Sequence, residues 1–267
     1  CTFNGNIAKS QRNANGGAVS IREAPAHIIN SLFYGNVTKS SVGGDESHGS
    51  HGGAIYFETP STYDGSNWQG AEVRVINCTI VNNSSLSDRT ASYTSGGALS
   101  FESWGDRTEK LTMFNTVMWG NTVGNPGSTG QTQIRVSNID VMTFSTDYNT
   151  VQDIGTLGSY SGDHSNGYDP MFTNAAGNDF TLSDASHLIG AGIAILEGVN
   201  APEKDITNIT TRGTPPDIGA YENSLDSSPY PAPVANLVGS PGGSSANLTW
   251  DANTESDMAY YMVAKST

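Results

Sequence analysis

Several features that define common protein classes are scarce in this sequence. Only 14% of its 267 residues are charged, and 12 Lys and Arg against 26 Asp and Glu give a formal net charge of −14. So few basic side chains cannot form the positive surface that contacts nucleic-acid phosphates. No apolar run approaches the roughly 20 residues of a transmembrane helix. These shortages exclude a nucleic-acid-binding protein and predict no membrane insertion.

Cysteine is equally scarce. Two cysteines in a chain of this length cannot form a disulfide framework, and no Cys-x-x-Cys pair indicates a metal or redox site. Glycine is abundant at 31 residues, and 9% of the residues are aromatic, more than disordered polar segments usually contain. This composition predicts ordered, turn-rich β structure. The acidity and the scarcity of Lys fit an extracellular or cell-surface protein.

The chain repeats itself at irregular intervals. Four hexapeptides have an apolar residue three positions before a terminal Asn, namely residues 1–6, 31–36, 78–83 and 116–121, and a weaker fifth copy starts at Thr146. The copies start 30, 47, 38 and 30 residues apart. Such irregular spacing excludes helical arrays of fixed period and predicts a β-solenoid whose coils differ only in loop length.

A second motif lies between these copies. Gly-Gly-Ala followed by an apolar residue starts at Gly16, Gly52 and Gly96, and a fourth copy without glycines starts at Gln133. The following residues alternate between apolar and polar, as in half-buried strands. Stacking the copies aligns an inward column of Val19, Ile55, Leu99 and Ile134, and outward columns of Arg22, Glu58 and Glu102 and of Ser20, Tyr56, Ser100 and Arg135.

Two columns of Asn are predicted to form structural ladders. One contains Asn30, Asn77 and Asn115, continued by Ser145, after a strand with the inward residues Ala26, Val73, Leu111 and Val141. The other contains Asn6, Asn36, Asn83 and Asn121. A side-chain amide in one coil can donate to a carbonyl in the next, which satisfies polar groups in bends that are costly to bury.

These repeats resemble the right-handed parallel β-helix of the pectin-lyase-like superfamily. The motifs at residues 169–172, 178–182, 186–192 and 217–222 are similar to the closing region of bacterial secreted proteins of the "choice-of-anchor Q" type. The resemblance covers roughly residues 1–223, although residues 205–212 depart from its usual Asp-rich pattern. The resemblance implies an all-β fold, namely a right-handed parallel β-helix. It also implies a secreted or surface-anchored bacterial protein.

The remaining residues form a linker and a partial domain in this interpretation. Residues 224–233 are rich in Pro and Ser, and residues 234–267 resemble the first three strands of a fibronectin type III sandwich, with Trp250 on the second strand. Such a sandwich needs about 100 residues. We therefore expect a piece of a larger polypeptide, with further domains of the same chain as partners.

The outward pair Glu58 and Glu102 is the candidate catalytic site. Neighbouring coils lie about 4.8 Å apart, so two carboxylates would face each other as in retaining glycosidases, and their repulsion would raise one pKa. The alternative is a solvated ladder that Arg22 neutralises at one end. Aromatic and basic residues nearby suggest a sugar-binding surface, and the candidate ligand-binding residues are Arg22, Tyr56, Tyr63, Trp68, Trp104 and Arg135. The rings could instead cover their own loops.

Metal binding has weaker support. The loop residues Asp45, Glu46, His48 and His51 could hold zinc or another divalent ion, although a solvated loop is the simpler interpretation. Calcium is a possible cofactor, with ligands among Asp64, Asp88 and Asp106, and no cofactor is required. Cys1 and Cys78 share a column two coils apart, which is too far for a disulfide. We expect both to be free, buried thiols.

Three functions remain open on the sequence. The first is a rigid adhesin or glycan-binding module with a polysaccharide or cell-surface glycan as its partner. The second is a polysaccharide-degrading enzyme, either a hydrolase that uses the paired Glu residues or a lyase. Lyases on this fold use a Lys or Arg base with carboxylates that hold calcium, and the outward columns supply no complete set of this kind. The third is a structural spacer or filament subunit.

Overall fold

The structure is a computed structural model that describes residues 1–41, 49–59, 61–63, 65, 67–88, 94–103, 108–124, 133–137, 142–152, 154, 162–226, 234, 236–242 and 245–251. It is nearly all β structure, and five sheets of parallel strands contain most of its strands. Consecutive strands of one sheet come from successive coils of the chain. The expected all-β class is confirmed, and the stacked parallel sheets are compatible with a β-helix.

The five sheets are named A to E in the order in which the chain enters them. Their strands are Thr2–Asn4, Leu32–Tyr34, Thr79–Val81, Val117–Trp119 and Thr150–Val151 in sheet A; Ile7–Ser10, Val37–Ser40, Ser84–Ser87 and Thr122–Gly124 in sheet B; Ala14–Asn15, Ser50–His51 and Thr94–Ser95 in sheet C; Val19–Arg22, Ile55–Glu58, Leu99–Glu102 and Ile134–Ser137 in sheet D; and Ala26–Ile29, Glu72–Ile76, Glu109–Phe114 and Met142–Asp147 in sheet E. A hairpin of Ser61–Tyr63 and Trp68–Gly70 lies between sheets D and E in the chain.

The Gly-Gly motifs lie at the bend between sheets C and D. Val19, Ile55, Leu99 and Ile134 are directly opposite one another, as the sequence alignment predicted. The first glycine of each motif has a positive φ, a backbone conformation that residues with a side chain rarely adopt. A Cβ on Gly53 would lie 2.1 Å from the carbonyl oxygen of Gly97 in the next coil. Glycine is therefore required where the coils approach this closely.

Apolar side chains fill the interior between the sheets. The main core cluster includes Phe33, Ile80 and Met118 from sheet A, and Phe57 and Phe101 from sheet D. The rings of Phe3 and Phe33 stack with their centroids 4.6 Å apart. Equivalent residues of successive coils thus pack on one another in columns, which explains why the same positions are apolar in each repeat.

In the last coil, the observed strand register differs by three residues from the alignment predicted from the sequence. Leu111 is opposite Phe144, not Val141, and Thr112 is opposite Ser145. The fifth copy of the hexapeptide accordingly starts at Asn149, not at Thr146, because Val117 pairs with Thr150. The observed register places the apolar ring of Phe144 against the core. Val141 lies outside the described residues.

Residues 162–226, the closing segment, pack on the outer face of sheet A. The segment contains the strands Phe172–Asn174, Asp179–Leu182, Ile195–Leu196 and Val199–Asn200 and a 3₁₀ turn, Ala175–Gly177. Leu188, Ile189 and Ile218 pack against Val117, and Phe180 packs against Leu32 and Val81. The outward side chains of Tyr34 and Trp119 are covered in the same way.

The C-terminal part forms an antiparallel hairpin. Val238–Gly242 pairs with Ser245–Thr249, and a hydrogen bond joins the side chains of Asn236 and Asp251. The expected third strand of the partial sandwich lies outside the described residues, as do residues 227–233 of the linker. No helix in the described ranges combines the length and the hydrophobicity that a membrane crossing needs.

Candidate functional site

The outer face of sheet D brings together five of the side chains singled out in the sequence. We call Arg22, Tyr56, Glu58, Glu102 and Arg135 the sheet D cluster. The strand register places Arg22, Glu58 and Glu102 next to one another. Arg22 forms an ion pair with Glu58, and Arg135 forms one with Glu102. The hydroxyl of Tyr56 lies 3.0 Å from Glu58 Oε2 and 2.8 Å from Glu102 Oε2.

The two arginines of this cluster are more exposed than its two carboxylates, and the side chain of Arg135 is 28% exposed. The side chain of Arg22 is 67% exposed, that of Glu58 16%, and that of Glu102 6%. Tyr56 is only 2% exposed, so the interpretation of its ring as an open stacking surface is wrong. Burial raises the pKa of the Tyr56 phenol and lowers the pKa of Arg135, whereas the hydrogen bond with Glu58 raises the pKa of Arg22.

The sheet D cluster contains two positive charges, two adjacent negative charges and one neutral phenol. Each carboxylate faces its own guanidinium, so both carboxylates already have an ionic partner within the protein. A substrate would also have difficulty reaching Glu102, which is almost fully buried. The arrangement joins four consecutive coils across their outer face, which suits a structural clamp better than proton transfer to a substrate.

Tyr63 supplies an exposed aromatic ring close to this cluster in the chain. It is 56% exposed, and its strand pairs with that of Trp68 so that the two residues are directly opposite. The side chain of Trp68 and all of Trp104 lie outside the described residues. A partly exposed ring on a hairpin can stack on the apolar face of a sugar.

The proposed metal loop falls largely outside the described structure. Asp45, Glu46 and His48 are not described, while Nδ1 of His51 lies 2.8 Å from Ser95 Oγ in the next coil. Burial, aided by the charge of Arg135, lowers the pKa of His51 to about 3. Within the described ranges, no group of three His, Cys, Asp or Glu side chains is placed to hold a metal ion.

Of the three calcium candidates, only Asp88 lies within the described residues. Asp88 lies 2.8 Å from the ammonium group of Lys39, in an exposed ion pair. Asp64 and Asp106 lie outside the described residues.

One Asn column forms a continuous ladder at the bend between sheets A and B. The side-chain amide of Asn6 donates to Oδ1 of Asn36, that of Asn36 to Asn83, and that of Asn83 to Asn121, at 2.8–2.9 Å. The ladder ends on Oε1 of Gln133. Backbone N–H groups of Asn6, Asn36 and Asn83 donate to the same side-chain oxygens, so each rung satisfies polar groups of its neighbour.

The other Asn column has a different role from the one expected. Asn30, Asn77 and Asn115 do stack, with positive φ, but Tyr148 continues the column instead of Ser145. Between the three amides only one hydrogen bond forms, from Asn115 to Asn77 at 3.2 Å. The remaining side-chain bonds join the closing segment, because the left-handed bend turns these side chains outward.

A buried polar cluster in the closing segment was missed by the sequence reasoning. Arg212 donates to Glu222 Oε2 at 2.9 Å and to Asn30 Oδ1 at 2.8 Å. Asp217 accepts hydrogen bonds from the backbone N–H groups of Gly190 and Asn223, yet burial raises its pKa to about 7. The sequence signal for this cluster was the motif at residues 217–222. The contact of its Glu222 with Arg212 depends on the fold.

The two cysteines share a column but differ in exposure. Cys78 is fully buried, and burial raises the pKa of its thiol to about 12. Cys1 is exposed, so the expectation of a buried thiol there is wrong. Both thiols are free, as predicted.

Comparison with known proteins adds no relative to this description. No protein-family model matches the chain, and neither the curated proteins nor the solved structures give a significant match.

Proposed function

We propose that this chain is a right-handed parallel β-helix module of a secreted or cell-surface bacterial protein, and that it binds glycans without cleaving them. The fold proposal is supported by the common register of the five parallel sheets. Connections between parallel strands of one sheet are right-handed in about 98% of cases, which favours this hand. The assignment to the pectin-lyase-like superfamily and to the choice-of-anchor Q type belongs to the same proposal.

The fibronectin type III-like segment is part of the proposal as well. An antiparallel hairpin followed directly by the half-buried Trp250 suits the first two strands of such a sandwich. In this proposal the β-helix spans residues 1–223 and presents its side faces as a rigid rod between further domains of the polypeptide.

The sheet D cluster is the observation that carries the preference for binding over catalysis. Glu58 and Glu102 are each paired with an Arg and share the hydroxyl of Tyr56. General acid–base catalysis needs a carboxyl group that can exchange its proton with the substrate. Carboxylates that are ion-paired and mostly buried contribute stability instead. Tyr63 is 56% exposed and the side chain of Arg22 is 67% exposed, and this exposure supports sugar contacts at both residues.

A paired experiment tests this proposal. The full chain is applied to a glycan array, and the bound polymers are then incubated with it while their reducing ends and unsaturated products are measured. We expect binding without depolymerisation, and weaker binding by Tyr63→Ala. Ile209→Ala is the control, because Ile209 is 80% exposed in the closing segment. Parallel samples with EDTA or added calcium show whether calcium contributes.

The enzymatic alternative has one observation in its favour. Glu58 and Glu102 both lie within hydrogen-bond distance of one hydroxyl, so their carboxyl groups are close together, and retaining glycosidases hold theirs about 5–5.5 Å apart. Depolymerisation that is lost in Glu102→Gln would establish the enzyme and overturn the binding-only proposal. Absence of binding to every glycan would favour the structural spacer.

A further inference from the structure

A small cavity lies in the closing segment, outside the sheet D cluster. Its volume is about 300 Å³, at the lower end of the range for small-molecule sites. Its lining includes Pro202, Glu203, Thr211, Arg212, Thr214 and Pro216. A cavity of this size suits a single small ring better than an extended chain.

Three polar side chains on the rim have no partner among the residues that the structure describes. Glu203, Thr211 and Thr214 are exposed, and within the described ranges none of their side chains forms a hydrogen bond or an ion pair. A carboxylate accepts hydrogen bonds only, whereas a hydroxyl both donates and accepts. The rim can therefore bind several hydroxyl groups of a ligand at once.

The buried part of the wall is electrically balanced and firmly held. The positive charge of Arg212 is paired with Glu222, and its second terminal nitrogen donates to Asn30 and to two backbone carbonyls. Glu222 also accepts hydrogen bonds from the backbone N–H groups of Gly213 and Asp217, at 2.6 and 3.1 Å. Both terminal nitrogens of Arg212 are therefore engaged, and only its buried Nε has no hydrogen-bond partner among the described residues, so the paired charge is a poor anchor for an anion.

The charge that remains at this cavity is the negative charge of Glu203. Anionic ligands such as uronic acids and phosphates would be repelled by it, and a single carboxylate supplies too few oxygen ligands for a calcium ion. The half-buried ring of Pro202 and the buried ring of Pro216 add apolar surface. Apolar surface combined with acceptors and hydroxyls matches a neutral, polyhydroxylated ring.

We propose that this cavity binds one terminal residue of a neutral glycan, with the sugar ring against the prolines and its hydroxyls bonded to Glu203 and Thr214. This assignment deepens the proposed function and rests on it, because it names the class of sugar and a place where it binds. It adds a second contact region to the surface around Tyr63.

Chemical-shift titration of the isotope-labelled full chain with free sugars tests the cavity. The probes are glucose, galactose, mannose and N-acetylglucosamine, with galacturonic acid and glucosamine as charged counterparts. We expect at least one neutral sugar to shift the amide signals of Gly213 and Thr214 with saturation in the millimolar range. Glu203→Ala and Thr214→Val should each weaken this binding at least tenfold, whereas Asp226→Ala, an exposed acidic control, should not.

The outcomes separate the cavity from the function on which it rests. Stronger binding of galacturonic acid or glucosamine than of every neutral sugar, or no saturable shift, overturns the cavity assignment. If array binding persists in Glu203→Ala but is lost in Tyr63→Ala, the cavity assignment fails and the proposed function stands. If a free neutral sugar saturates the cavity while no array glycan binds, the cavity stands and the proposed function fails.

Discussion

The hydroxyl of Tyr56 lies 2.8 Å from Oε2 of Glu102, a residue 46 positions later in the chain. The same hydroxyl is also 3.0 Å from Glu58 Oε2. A phenol has one hydrogen to donate, so one carboxylate receives it while the other faces the oxygen lone pairs unless it is protonated itself. The ion pairs with Arg22 and Arg135 offset the resulting repulsion. Tyr56 is therefore a buried link between two coils.

Replacing Tyr56 by Phe should destabilise the fold through this link. The substitution keeps the buried ring and removes the phenolic donor, which leaves one carboxylate oxygen without this hydrogen bond. An unsatisfied buried group costs about 1–3 kcal/mol, and we expect a loss of this size in the free energy of unfolding. Urea denaturation measures it, with Tyr63→Phe as the exposed control. An unchanged midpoint for Tyr56→Phe would show that the link contributes nothing.

A substitution in the middle of the Asn ladder should lower the free energy of unfolding more than a substitution at its end. Asn83 is fully buried and bonds to Asn36 and Asn121. Asn83→Ala leaves several of their polar groups unsatisfied, and we expect a loss of about 3–5 kcal/mol or failure to fold. Asn6→Ala removes only the exposed end and should cost about 1 kcal/mol. Equal losses for the two variants in urea denaturation would contradict a continuous ladder.

Asp217 should make stability fall as the pH rises. Its pKa is raised from 3.8 to about 7 by burial, so between these values the folded protein holds a proton that the unfolded chain has released. Its contribution is fully present below pH 4 and is lost as the pH approaches 7, at up to about 1.4 kcal/mol per pH unit. Asp217→Asn should remove this slope. Urea denaturation from pH 4.5 to 7.5 measures the difference between the two proteins.

The control for this pH dependence is Asp226→Asn, which changes an exposed carboxyl group. Its profile should stay parallel to that of the unmodified chain. If the profile of Asp217→Asn is also parallel, Asp217 does not titrate between pH 4 and 7 in the folded protein.

The two thiols should react at very different rates. Cys1 is exposed, whereas Cys78 is fully buried, and its raised pKa leaves almost no thiolate at neutral pH. A thiol reagent such as DTNB should label one thiol rapidly in the native protein and the second only after denaturation. Cys1→Ser should abolish the rapid phase. Rapid labelling of two thiols would contradict the burial of Cys78.

The sequence was a good guide wherever a position repeats. The columns of Val19, Ile55 and Leu99 and of Asn6, Asn36 and Asn83 could be aligned from the recurring motifs, because each coil places the same residue type in the same environment. It was a poor guide in the last coil, where the repeat signal fades. There the alignment predicted from the sequence was wrong by three residues. The observed register places Phe144 against the core.

By itself the sequence determined the all-β class, the stacking of the repeats and the neighbours within the columns outside the last coil, since these follow from local periodicity. The tertiary structure decided what covers each outward face. The closing segment occupies the side chains of Asn30, Asn77 and Asn115, Tyr56 is buried, and Arg212 meets Glu222 in a wall beside a cavity. Such contacts join segments up to 182 residues apart, and no local pattern encodes them.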